Sequence, residues 1–87
     1  MDTFKLKILT PVGVILEAEE VTSVNLPSSN GEIGILPGHT RYSGLLGSGV
    51  LKFSSKVDSG REVALDCGFC AFSDNELIIL ADKAQIH

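Results

Sequence analysis

Asn30-Gly31-Glu32-Ile33-Gly34-Ile35-Leu36-Pro37-Gly38-His39 governs the reading of the chain. Asn30-Gly31 is a two-residue hairpin signal, because both residue types tolerate the positive φ that a type I′ turn requires. The residues after it alternate. Ile33 and Ile35 fall on one face of a strand, Glu32 and Gly34 on the other. Leu36-Pro37-Gly38-His39 then places Pro and Gly at the centre of a type II turn, where Pro presets the first φ and Gly supplies the positive second one. A short strand is thus held between two tight turns, with Glu32 at its start and His39 just past its end.

On the N-terminal side, Phe4-Lys5-Leu6-Lys7-Ile8 alternates with Phe4, Leu6 and Ile8 inward. Thr10-Pro11-Val12-Gly13 is a turn signal. Val14-Ile15-Leu16 returns as a strand and runs into Glu17, Glu19 and Glu20, an acidic cluster that reads as a solvated edge. Val21 to Leu26 forms a further strand, and Pro27 limits its end.

On the C-terminal side, Thr40 to Ser48 reads as an irregular connection containing Leu45-Leu46. Val50 to Ser55 alternates with Leu51 and Phe53 inward. Asp58-Ser59-Gly60 turns, and Arg61 to Asp66 pairs back with Val63 and Leu65 inward. Phe69 to Phe72 is short and mixed, and Asp74-Asn75-Glu76 turns the chain into Leu77-Ile78-Ile79-Leu80. Turn signals about 8–12 residues apart predict one all-β domain over residues 1–87, a two-sheet antiparallel β-sandwich or flattened barrel.

Leu77 to Leu80 is apolar on both faces, although one face of each sandwich strand is normally wet. Its outer positions must meet either a loop or a partner, and Leu45-Leu46 poses the same question. Composition points the same way. The chain is 44% hydrophobic without Trp, with a mean hydropathy of +0.26. That is an apolar excess for so small a domain, and it implies surface meant for a partner.

Charge excludes other classes. The net charge is −4, from 11 acids and 7 bases, and the bases are scattered. Nucleic-acid binding needs a basic patch or stripe, which this chain lacks. The N-terminus has no apolar signal region, and no apolar run approaches the ~20 residues of a membrane span. Any membrane association is therefore expected through other proteins, without direct insertion.

Little in the sequence carries chemistry. No Ser or Cys has a nucleophile constellation around it, so His39 reads as a contact residue that the Pro-Gly turn presents outward. Cys67 and Cys70 form C-x-x-C, but in β-type sequence, where their side chains point to opposite faces. A zinc site would need two more ligands, and the only histidines are His39 and His87. The two cysteines read as small buried or half-buried thiols of a reducing compartment. Gly47-Ser48-Gly49 lacks the Gly-Lys-Ser/Thr ending of a phosphate loop. We expect no metal, no cofactor and no nucleotide binding. Glu32 by itself is either an interface charge or a solvated residue after a turn.

Gly31 to His39 resembles the signature of the epsilon subunit of rotary ATP synthases, in its N-terminal β-domain. The similarity continues at Gly49-Val50-Leu51-Lys52-Phe53 and at Leu77-Ile78-Ile79-Leu80-Ala81-Asp82, and spans Phe4 to Ala84. The chain departs from the family pattern at Thr40-Arg41, where Ala-Pro is usual, and at Cys67-Gly68 and Ala71, where Gly-Gly and Glu are common. The family's C-terminal helical hairpin is expected to be missing, giving a short form.

The resemblance implies a non-catalytic rotor subunit of a proton-translocating ATP synthase. It would link the gamma shaft to the membrane c-ring on the cytoplasmic side of the bacterial inner membrane, or on the equivalent organelle face. It implies ring-facing positions at Glu32, Pro37, Gly38 and His39. Gamma-facing positions are expected at Leu45, Leu46, Ile78 and Leu80. Two other classes stay open: a free-standing β-sandwich interaction module, and a small metal or thiol enzyme resting on Cys67, Cys70 and His39.

Overall fold

The structure is a computed structural model, and it describes residues 3–28 and 31–86. Seven strands make up the fold: β1 (Phe4–Thr10), β2 (Gly13–Ser28), β3 (Gly31–Ile35), β4 (Tyr42–Leu46), β5 (Gly49–Ser55), β6 (Arg61–Ser73) and β7 (Glu76–Ile86). β2 and β6 are long because each serves two layers. The first half of β2 pairs with β1, and its second half with β3 and β5. The first half of β6 pairs with β5, and its second half with β4.

Both long strands change layer at an irregularity. Glu20 takes φ 57 where the β1–β2 register shifts, and Cys67 takes φ 41 in the middle of β6. A bulge of this kind bends a strand and lets it turn a sandwich corner. The sequence reads each long strand as two short pieces because a bulge interrupts the alternation. One layer then runs β2–β1–β7–β6–β4, and the other β3–β2–β5–β6. The pairings β1–β2–β5–β6–β7–β1 close a ring. β1 and β7 run parallel, a departure from the all-antiparallel expectation; the other pairings are antiparallel.

The core lies between the layers. Phe4, Leu6, Ile8, Cys70, Phe72, Leu77 and Ile79 enter from one side, and Val24, Leu26, Ile35, Leu51, Phe53, Val63 and Leu65 from the other. The inward sets expected for Phe4-Ile8, Val50-Ser55 and Arg61-Asp66 are the sets observed. Full burial of each such side chain contributes about 1.5–3 kcal/mol.

Two readings change and one is refined. Tyr42 to Leu46 is strand β4, which the small and polar residues Ser43 and Gly44 had concealed. Pro27 lies within β2, opposite Glu32, and the strand ends one residue beyond it at Ser28. The β2–β3 register closes with Ser28 opposite Gly31, one residue earlier than an Asn30-Gly31 turn would place it. Asn30 itself lies outside the described residues, as does His87. The β6–β7 connection is a two-residue turn with positive φ at Asp74 and Asn75, 51° and 60°. Asn75 also ties down the start of the chain's first strand: its side-chain Nδ2 donates to Thr3 O at 2.6 Å, and its backbone carbonyl accepts from Lys5 N at 3.2 Å.

Candidate interaction surfaces

The turn after β3 forms as its residues dictate. Gly38 has φ +79, and His39 N donates to Leu36 O at 3.1 Å, which is the type II arrangement. His39, however, is half-buried and turned back on the body of the domain. Its Nδ1 lies 2.8 Å from Thr40 O. A carbonyl only accepts, so Nδ1 carries the proton in this contact. The ring meets Tyr42 edge-on at 6.3 Å and Phe72 at 6.0 Å, and Phe72 meets Phe4 at 5.5 Å. The expectation of an outward-presented ring is therefore corrected: edge-to-face contact with two aromatics draws the imidazole inward.

Glu32 is exposed on β3 and forms no ion pair or side-chain hydrogen bond with any described residue. It lies near the Leu46 end of β4, because Ser28, next to its partner Pro27, pairs with Leu46. His39 lies at the Tyr42 end. Four residue steps of β4, about 14 Å, separate those ends. Glu32 and His39 thus mark the two ends of one edge, formed by β3 and the turn after it.

A second surface is the outer face of the β2–β1–β7–β6–β4 layer. The register lines up Val14, Leu9, Leu80, Phe69 and Leu45, each opposite the next. This apolar row crosses five strands, about 19 Å at the usual strand spacing. Leu80 is 51% exposed and Leu45 69%. Ile78 and Ala71 stand opposite one another in the adjoining row. Leu46 is corrected: at 5% exposure it is core, since neighbours on a strand face opposite ways. Phe69, Leu9 and Val14 were missed. Cross-strand register assembles them, and only their individual outward positions were legible in the sequence.

The other layer carries a polar row on its outer face, beside the exposed Val50 opposite Ala64. Gly34, Asn25, Lys52 and Glu62 follow one another in register, and Lys52 Nζ lies 3.9 Å from Glu62 Oε2. The apolar row is bordered by charge, since Lys7 stands between Glu17 and Ile78 in the adjoining row, and it is one exposed apolar stripe on its layer.

The cysteines do not form a joint site. Cys67 is exposed and Cys70 buried, on opposite faces of β6. Burial pushes the Cys70 thiol up, and the Gly44 backbone partly opposes that shift. Ser48 Oγ donates to Asp66 Oδ1 at 2.7 Å and lies 3.9 Å from Cys67 Sγ. Among the described residues, no three His, Cys, Asp or Glu side chains are grouped to hold a metal. No helix of the described residues is long and apolar enough to cross a membrane.

Known proteins share both the sequence and the fold. Residues 3–87 match the family model described as ATP synthase, Delta/Epsilon chain, beta-sandwich domain. An ATP synthase epsilon chain of Campylobacter curvus is 37% identical over 84 residues, covering 97% of this chain and 64% of that protein. One of Aliarcobacter butzleri is 42% identical over 84 residues, covering 97% and 66%. The chain thus spans less than two thirds of the length of these relatives. Its fold superimposes on a chain of the Euglena gracilis mitochondrial ATP synthase OSCP/F1/c-ring structure with a TM-score of 0.90, at 20% identity, covering 99% of this chain and 54% of that one. A chain of the Tetrahymena thermophila mitochondrial ATP synthase central stalk and c-ring gives a TM-score of 0.75 at 17% identity, covering 97% and 66%. With the motif from Gly31 to His39, the layer-switching sandwich and a family match over nearly its whole length, the chain belongs to the ATP synthase delta/epsilon chain beta-sandwich domain family.

Proposed function

We propose that residues 1–87 form the epsilon-type N-terminal β-sandwich domain of a non-catalytic rotor subunit in a proton-translocating ATP synthase. The domain sits between the gamma shaft and the c-ring, turns with them, and helps couple ion flow to ATP synthesis elsewhere in the complex. It is peripheral to the membrane, on the cytoplasmic side of a bacterial inner membrane or the equivalent organelle face.

The observation that carries this reading is the exposed apolar row across one outer face, joined to the family match. The apolar row Val14-Leu9-Leu80-Phe69-Leu45, with Ile78 beside it, is the face assigned to gamma. The β3 edge, from Glu32 through Pro37 and Gly38, is assigned to the ring. His39 acts there through the turn it buttresses against Tyr42 and Phe72. A dense core between paired layers resists shear, which suits a part that transmits torque.

The test is purification of the tagged chain from membranes, with ATP-driven proton pumping in vesicles from cells lacking it. Recovery of gamma and c subunits, with pumping restored by the wild-type chain, is expected. A chain that never co-purifies with them is a free-standing interaction module.

A further inference from the structure

We draw no further inference here: the strongest candidate, the acidic surface cluster of Glu19, Glu20, Asp74 and Glu76 beside the buried and unpartnered Oδ1 of Asn75, carries nothing, because no three His, Cys, Asp or Glu side chains among the described residues are grouped to hold a metal and nothing else in the structure points to a ligand there.

Discussion

Phe69 on β6 stands directly opposite Leu80 on β7, both side chains on the outside of the sandwich. Their neighbours Cys70 and Ile79 are likewise opposite one another and wholly inside. One step along either strand thus separates the exposed apolar row from the core, and substitutions one residue apart should have unrelated consequences.

Leu45→Asp and Leu46→Asp make that comparison sharply. Leu45→Asp should leave urea unfolding within about 0.5 kcal/mol of wild type, as surface changes do. It should abolish gamma binding, because a carboxylate buried at the interface without a partner costs several kcal/mol. Leu46→Asp should unfold the domain. Equal destabilisation by both would move Leu45 into the core and remove the apolar row as a docking face.

Gly68 approaches β7 so closely that a Cβ there would collide with the Leu80 carbonyl. Backbone cannot swing aside as a flexible side chain can, so Gly68→Ala should cost about 2–3 kcal/mol. Gly38 has open space around it but φ +79, so Gly38→Ala should cost nearer 1 kcal/mol, from conformation alone. Chemical denaturation of the two variants separates collision from conformational strain.

His39→Ala should act first on stability. It removes a ring packed edge-on against Tyr42 and Phe72, and about 1 kcal/mol should be lost. Glu32→Lys should leave stability unchanged and lower ATP-driven pumping in reconstituted vesicles. That defect should weaken as salt rises, since exposed charges are screened within about 10 Å at 0.1 M. A salt-independent pumping defect would mean that Glu32 acts through the fold.

Thiol titration should find one reactive cysteine in the native domain, Cys67, and two in denaturant. Burial raises the Cys70 pKa above its ordinary value. Keeping the thiol protonated therefore favours the folded state fully below the ordinary thiol pKa. That contribution is lost as pH rises through the elevated folded value. Stability should decline on the alkaline side, and Cys70→Ala should flatten the decline while adding a pH-independent cavity cost.

Much of this was legible in the chain because each local signal had one physical solution. Pro37-Gly38 admits few turns, and the alternation through Phe4-Ile8 admits one inward face. β4 was not legible, since Ser43 and Gly44 give no alternating pattern and the strand forms because β6 offers it a partner. The orientation of His39 was missed for a similar reason. A turn type fixes the backbone, while Tyr42 and Phe72, brought together by pairing of β4 with β6, decide where the ring goes. The apolar row is a property of register across five strands, and no single stretch contains it.

The parallel pairing of β1 with β7 has a consequence for biosynthesis. The strand that leaves the ribosome first must wait for the strand made last among those described, since Leu6 lies beside Leu77 and Ile8 beside Ile79. Until then the β1–β2 hairpin leaves open the β1 edge that β7 will pair with. Contacts this distant in sequence slow folding, and an exposed strand edge during the wait invites association with other chains. Nascent chains arrested on the ribosome before Glu76 to Leu80 has emerged should therefore be protease-sensitive, and chains arrested after it should be resistant.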